Sequence, residues 1–472
     1  MAKNAKPTDW DADRLALLER ALDAAPLDAS AYRALATARR LGGDELGALA
    51  HSIAAQTVEA HAAGSLTDSG FGLCNVATGY FMKGEHETAA RWYRLVLMIN
   101  PNLASAHQNL AAIHADAGRV GQAQFCRDRA YQIQRVFIES AGNRTRRVLI
   151  LCVGRTAGNT PPETLLPAQT CCRIKYVIDY AAEEEDARLP PFDLVFNAIG
   201  EPDVAAPLQD RLERFARGCG RPLLNPPQAV ARTQRQQLPA LLGEIEGAVA
   251  APCIVAGAPS SVAAVAAQVA TAGIHFPLLV RPAASHGGAG LVRCENIEEL
   301  ACHLRGCHGP AYVSAFCDTR SADGYYRKYR IIFVDREPFA YHLAISSHWM
   351  VHYFSADMEV SPWRIAEERR FLDDPGAALG ARAMAAIAAI GRALDLDYGG
   401  IDFALLPDGR VFVFEANATM LVHRERHNGV LVHKNCQVQR IVDAFERLQE
   451  RRLGAAADGL SAAAAPIEPA PP

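Results

Sequence analysis

The spacing of apolar and polar positions changes twice along the chain. From about residue 10 to 140 apolar residues recur at helical intervals, alanine is abundant and strand-like alternation is absent, which predicts an almost wholly helical region. At Arg146-Arg147 the rhythm shifts to short continuous apolar runs, Val148–Val153, Lys175–Ile178 and Asp193–Asn197. Strands of this kind separated by connectors predict a small parallel sheet over 146–225. Beyond it the pattern mixes α and β. It predicts helices at 228–242 and 260–272, and strands at Pro277–Pro282, Ala311–Asp318 and Tyr326–Val334. A hairpin follows at Gly400–Asn417. From 453 to 472 alanine and proline dominate, and a disordered tail is expected.

The helical region carries an internal repeat. Gly84 and Gly118 are 34 positions apart, Ala89 and Ala123 match at the same offset, and Pro101-Asn102 closes the first unit. That period resembles tetratricopeptide repeats. One repeat spans 70–103, with Tyr80, Gly84, Ala89, Tyr93 and Pro101 at motif positions. The next spans 104–137, with Leu110, Gly118, Ala123 and Ala130, and a degenerate copy lies at 29–62. Each helix pair cannot bury its apolar face alone and stacks on its neighbour. The stack is either a concave groove for a peptide or protein partner or a structural, dimerising cap.

The hairpin is the most informative stretch. Asp408-Gly409 between apolar runs predicts a two-residue loop. Pro407 then faces Arg410, and Asp402 lies opposite Glu415 with Asn417 on the same face. That face would also carry Ala404, Leu406, Val411 and Val413, with Ile401, Phe403, Leu405, Phe412 and Phe414 on the other. Both faces are largely apolar, so the carboxylates are buried and need a partner. Facing carboxylates repel unless positive charge lies between them, and a hard divalent cation such as Mg²⁺, which takes oxygen ligands, answers that need.

Composition narrows the classes. The chain has 472 residues, half of them hydrophobic, and a formal net charge of −4, which gives no reason to expect nucleic acid or an anionic membrane as partner. The longest apolar runs are of strand length, and Met1–Pro7 is not followed by an apolar segment. Twelve scattered cysteines, with no Cys-x-x-Cys pair, read as free thiols of a cytoplasmic protein. The acidic run Glu183–Asp186 reads as solvated surface. The first strand of the parallel sheet is followed by Gly154-Arg155-Thr156-Ala157-Gly158, so the dinucleotide fingerprint is absent.

The order of elements carries a second resemblance. Arg281 ends a strand and leads into Ser285-His286-Gly287-Gly288-Ala289-Gly290, a loop whose backbone N–H groups suit phosphates. A hinge strand, the basic strand with Lys328 and Arg330 on one face, and the acidic hairpin follow. Over about 225–445 this resembles the ATP-grasp superfamily. With the tetratricopeptide-like repeats (10–140) the chain reads as multidomain, and the resemblance implies that a Rossmann-like α/β pre-grasp domain (146–225) and an α+β ATP-grasp domain (226–452) follow them. It implies ATP- and Mg²⁺-dependent joining of a carboxylate to an amino-acid or peptide amine through an acyl phosphate, with one or two Mg²⁺ or Mn²⁺. Asp402, Glu415 and Asn417 would hold the metal, and Arg281 and Arg232 would contact phosphates. Ser285, His286, Gly287, Gly288 and Gly290 would cover the β/γ-phosphates. Val313, Ser314, Ala315 and Phe316 would meet adenine through their backbone, and Lys328 and Arg330 would serve the transferring phosphoryl group. The chain departs from relatives at Ala289, where a lysine is frequent, and that departure favours an alternative: a nucleotide-binding scaffold with a weak or inactive grasp domain. His342, His348 and His352 flank an aromatic stretch and would either line an acceptor pocket or simply pack.

Overall fold

The computed structural model describes residues 9–65, 70–140, 146–154, 157–258, 261–285, 287–307 and 309–463. The chain divides into two compact units, Met1–Arg135 and Val136–Pro472.

The first unit is helical: α1 (Asp9–Ala24), α2 (Ala29–Leu41), α3 (Glu45–Ala62), α4 (Phe71–Met82), α5 (His86–Ile99), α6 (Ala104–Asp116) and α7 (Val120–Ile133). Asp28 caps α2 and Asp44 caps α3, each carboxylate accepting from backbone N–H groups of the first turn. Gly84 and Gly118 turn the corners between α4 and α5 and between α6 and α7, with φ of 80° and 71°, a backbone that a side chain would strain. The period of 34 thus coincides with two equivalent helix pairs. Small residues such as Ala77, Ala89, Ala90, Ala106 and Ala111 fill the core between them. Tyr93 is fully buried; its hydroxyl bonds Thr78 on α4 (2.9 Å) and Asn109 on α6 (2.7 Å), tying three helices together.

The helical pattern was expected to reach 140, but it stops at Ile133. Val136–Glu139 is a strand, β1, and opens the second unit. Its Val-Phe-Ile run suits a pleated surface, and Glu139 is fixed by Arg173 (2.7 Å) and Lys175 (2.9 Å) on the neighbouring strand. β2 (Arg147–Cys152), β3 (Cys172–Val177), β4 (Leu194–Asn197) and β5 (Leu223–Leu224) complete a sheet in the order β1-β3-β2-β4-β5. It is parallel except for β1. Helices α8 (Pro202–Ala205) and α9 (Gln209–Gly218) lie between β4 and β5.

The helix expected at 228–242 is two short ones, α10 (Pro227–Ala231) and α11 (Leu238–Gly243). Thr233 turns its hydroxyl back onto the Val230 carbonyl (2.7 Å), and Pro239 suits only a helix start, so the periodicity is broken between them. After β6 (Ala248–Val249) come β7 (Cys253–Ala256), α12 (Val262–Thr271), β8 (Leu278–Pro282), β9 (Val292–Cys294), α13 (Ile297–Gly306) and β10 (Ala311–Ala315). Their four strands form an antiparallel sheet, β7-β10-β8-β9, with its own core against α12 and α13.

The third sheet has the order β12-β11-β13-β14-β6 and carries most of the chemistry. It comprises β11 (Tyr326–Val334), β12 (Glu337–Ser346), β13 (Tyr398–Leu405) and β14 (Val411–Asn417). Between β12 and β13 run α14 (Pro362–Asp373), α15 (Pro375–Leu379) and α16 (Ala381–Leu394). The last helix, α17, spans Asn435–Ala463 and so runs into the stretch from 453 that was expected to be disordered. Alanine is the strongest helix former and the first proline of the tail is Pro466, so the helix carries on through 453–463 despite Gly454 and Gly459. Among the described residues no helix is long and apolar enough to cross a membrane.

Candidate functional site

Asp402 and Glu415 are cross-strand partners, as the hairpin pattern predicts, but by a different route. The loop holds three residues, Pro407-Asp408-Gly409, so Leu406 rather than Pro407 faces Arg410; the Leu406 N–H donates to the Arg410 carbonyl at 2.9 Å. Gly409 takes φ of 80°, which a third loop residue requires. The one-residue shift is cancelled by a bulge at Phe414, since Phe403 pairs with Val413 while Asp402 pairs with Glu415. The faces of the hairpin are therefore sorted differently from the expectation. Val411 and Val413 join Ile401 and Phe403 in the hydrophobic core, and Phe412 comes round to the side of Asp402.

A second bulge lies across the sheet. Arg330 pairs with His342 while Ile331 pairs with Ala340, leaving Tyr341 as the extra residue on β12. Arg330 also pairs with Asp402 on its other side. Four residues on adjacent strands thus form one row: His342, Arg330, Asp402 and Glu415. Strand spacing makes the row about 14 Å long. All four line a cavity of about 710 Å³, and Lys328, Arg281, Arg235 and Asn417 line it too.

Charge in the row is paired. Asp402 is fully buried and receives Lys328 Nζ (3.0 Å) and a forked Arg330 guanidinium (2.6 and 2.8 Å). Burial alone would raise its pKa, but Arg330 and Lys328 hold it well below the ordinary carboxylate range. Glu415 takes Arg235 (2.5 Å) and Arg281 (3.4 Å) on one oxygen, Oε2. Burial and the nearby Asp402 push it up; Arg235, Arg281 and Lys328 pull harder, and its pKa falls. Four cations against two carboxylates leave two positive charges in surplus at the cavity wall. Such a wall suits a polyanion.

The glycine-rich loop closes the cavity on another side. Arg281 donates through Nε to Ser285 Oγ (3.1 Å) and through its other arm to the Ser285 carbonyl, so the arginine shapes the loop start. Gly287 and Gly288 line the cavity. Gly290 has a positive φ and borders Pro282, but is not among the lining residues. His286 lies outside the described residues. Asp203 on α8 binds both the Ala284 N–H (2.9 Å) and the Tyr312 hydroxyl (2.5 Å), joining the loop and β10 to the first sheet. Glu201, two residues before it, is buried and has its pKa raised to about 7. Burial is the main cause, repulsion from Asp203 and Glu415 adds to it, and Arg235 opposes it.

Two expected nucleotide contacts are corrected. Arg232 is not at the cavity; it ends α10 and bonds Asp395 (3.0 Å). Arg235, in the turn before α11, reaches Glu415 instead. The break between the two helices sends these arginines to different partners, which a continuous helix would not have done. Val313 is packed in the core of the second sheet, and both Val313 and Ser314 lie in its middle strand, bonded on each side. The N–H groups of Ala315 and Phe316 go to the carbonyls of Pro252 (3.3 Å) and Pro277 (3.0 Å). Ser314, Ala315 and Phe316 still line the cavity. Phe316 is held there edge-on to Trp349 (5.6 Å), with Arg293 over its ring (4.3 Å).

Among the described residues there is no cluster of three His, Cys, Asp or Glu fit to hold a metal ion. What the hairpin offers is two carboxylates and the Asn417 amide, all on one face. Asn417 Oδ1 is turned to Thr419, accepting from its N–H (2.5 Å) and its hydroxyl. The two carboxylates fit Mg²⁺ bound with substrate phosphates, which takes one or two carboxylates, and Asn417 would join them only by releasing Thr419.

No protein-family model matches the chain, and no curated protein matches it. Solved structures do. The chain is similar to VanG D-Ala:D-Ser ligase from Enterococcus faecalis, at 11% identity over 65% of this chain and 99% of that one, with a TM-score of 0.41. It is similar to D-alanyl-alanine synthetase A from Vibrio cholerae O1 biovar eltor, at 12% identity over 66% of this chain and 98% of that one, with a TM-score of 0.40. For the ATP-grasp ligase PsnB complexed with a precursor variant, Mg and ADP, the identity is 13% over 65% and 99% of the two chains, with a TM-score of 0.36.

Proposed function

We propose that this chain is an ATP-grasp ligase that joins a carboxylate to an amino-acid or peptide amine through an acyl phosphate, using MgATP. The observation that carries the reading is the row across the third sheet, where Asp402 and Glu415 meet Arg330, Lys328, Arg281 and Arg235 at one cavity. Phosphoryl transfer asks little of a protein beyond positioning and charge. Arg281 and the backbone of Ser285, Gly287, Gly288 and Gly290 hold the α-, β- and γ-phosphates. Ser314, Ala315 and Phe316 border the base. Lys328 and Arg330 stabilise the charge that builds as the γ-phosphoryl group passes to the substrate carboxylate.

Asp402, Glu415 and Asn417 would hold one or two Mg²⁺, with Mn²⁺ as a substitute. A divalent ion there supplies charge neutralisation and alignment of the phosphates. Arg235, Arg281 and Lys328, which pair with these carboxylates, are the cations that would turn to phosphate oxygens. The helical repeats recruit a peptide or protein partner, so that the modified substrate is presented by a separate unit. A second reading is a nucleotide-binding scaffold, favoured by Ala289 where a lysine would reach the γ-phosphate. Release of ADP from MgATP in the presence of amino-acid and dipeptide panels separates them. The ligase releases ADP only with a matching pair, and Asp402→Asn abolishes that release. A scaffold binds MgATP and releases nothing.

A further inference from the structure

The glycine-rich loop begins on a residue poorly suited to its own backbone. Ala284 has φ of 53°, a left-handed conformation that crowds Cβ against the following carbonyl and favours glycine. An alanine stays there only if its surroundings hold it. Its N–H donates to Asp203 Oδ2 (2.9 Å), and the other oxygen of that carboxylate accepts the Tyr312 hydroxyl (2.5 Å). Both donors are neutral and the acceptor is ionised, which makes these bonds stronger than ones between neutral groups. Tyr312 stands opposite Arg281 across β10 and β8, and Arg281 binds the hydroxyl and carbonyl of Ser285, the residue after Ala284. The loop start is thus closed into a ring of contacts: Asp203, Tyr312, Arg281, Ser285 and Ala284.

Asp203 is fixed in turn against the acidic hairpin. A Cβ on Gly200 would stand 2.6 Å from the carbonyl carbon of Ala418, so the connection from β4 into α8 approaches the end of β14 closely only because it is glycine. Thr160 adds a second tie there, its hydroxyl donating to the Ala418 carbonyl (2.7 Å). Ala418 directly follows Asn417, the last residue of β14. One carboxylate therefore links the strand end that carries Glu415 and Asn417 to the start of the loop. Asp203 itself does not line the cavity, whereas Tyr312, Arg281, Gly287 and Gly288 do, so it reaches a ligand only through them.

Resting on the nucleotide site of the ligase reading above, we propose that Asp203 is a positioning residue, which holds Ala284 left-handed and so sets the phosphate loop at a fixed place relative to the hairpin carboxylates. A loop set in advance loses less freedom when a triphosphate binds, and that difference appears as affinity.

The test uses the full-length chain with Asp203→Ala, and with Asp203→Ser, too short to reach Ala284 and Tyr312 together, should alanine not fold. Asp203→Asn is the conservative variant: its amide oxygen still accepts from Ala284 and its NH₂ donates to the Tyr312 hydroxyl. Amide hydrogen exchange is measured without nucleotide, then MgATP affinity by calorimetry. In Asp203→Ala, exchange at the Ala284 amide should rise by about tenfold or more with the first and third sheets unchanged, and MgATP affinity should fall by about tenfold. Asp203→Asn should stay within about threefold of wild type in both. Adding Ala284→Gly to Asp203→Ala should recover part of the lost affinity, since glycine takes the left-handed backbone without help. Unchanged exchange or affinity in Asp203→Ala, or a loss in Asp203→Asn as large as in Asp203→Ala, would overturn the role of Asp203 and leave the ligase reading intact. A wild-type protein that binds no MgATP overturns both.

Discussion

Glu415 faces Asp402 across the hairpin because Phe414 is bulged out between them in sequence. Without the bulge this three-residue loop would pair Asp402 with Phe414 and turn Glu415 into the core. It follows that deleting Phe414, which closes the bulge, leaves the glutamate on the Asp402 side. The deletion variant should fold and bind MgATP within about tenfold of wild type by calorimetry, a change of roughly 1.4 kcal/mol. Loss of binding as complete as in Glu415→Gln would mean that the bulge shapes the site beyond setting its register.

Arg235 and Arg232 are three residues apart and separable by mutation. Arg235→Ala leaves Glu415 with only the longer contact to Arg281. If the cavity holds MgATP, affinity should fall by about tenfold or more, because a cation at the cavity wall is lost. Arg232→Ala, whose partner is Asp395, should leave affinity unchanged. Equal effects in a side-by-side titration would contradict the division.

Asp402→Asn strips the partner from Lys328 and Arg330, whose side chains are only 16% and 18% exposed. Stability at about pH 7 should drop by about 3 kcal/mol in urea unfolding, as when one member of a buried ion pair is removed. The pH dependence has a definite sign. The folded pKa of Asp402 lies below the unfolded value of about 3.9, so its contribution is present above that value and is lost as pH falls through the folded pKa. The difference between wild type and variant should therefore shrink on acidification below about pH 4. A constant difference would place the stabilisation elsewhere.

Arg330 bridges the carboxylate half of the row and His342. Arg330→Ala should lower kcat by about a hundredfold, a loss of a few kcal/mol of charge stabilisation in the transition state. If steady-state kinetics instead give a raised KM for the carboxylate with kcat unchanged, the guanidinium only positions that substrate.

Local chemistry made much of the site readable from the sequence. Asp402, Glu415, Lys328 and Arg330 announce themselves because carboxylates and cations on apolar strands are costly unless they meet something. Their common face follows from the two-residue period of a strand. What escaped were departures from regularity. The bulges at Phe414 and Tyr341 break that period without a glycine or proline to mark them. The Asp408-Gly409 turn signal was real, but it fits both a two- and a three-residue loop, and only the ladder decides. Arg232 and Arg235 share one face of the helix predicted over 228–242, so the pattern cannot separate their partners; the break between α10 and α11 does. β1 was hidden by its position directly after seven helices, and its pairing with β3 is a non-local contact that no window of sequence contains. The end of α17 is hidden because an alanine-rich segment with no core predicts disorder, yet alanine also propagates a helix already begun.

Whether the paired charges at the cavity bind MgATP is open to measurement. Isothermal titration of the wild-type protein with ATP, with and without magnesium, tests it most directly. One site is expected, with binding that is stronger with magnesium and with that magnesium-dependent gain lost in Asp402→Asn and Glu415→Gln. Absence of ATP binding with magnesium present, or a magnesium dependence that survives in both variants, would contradict it.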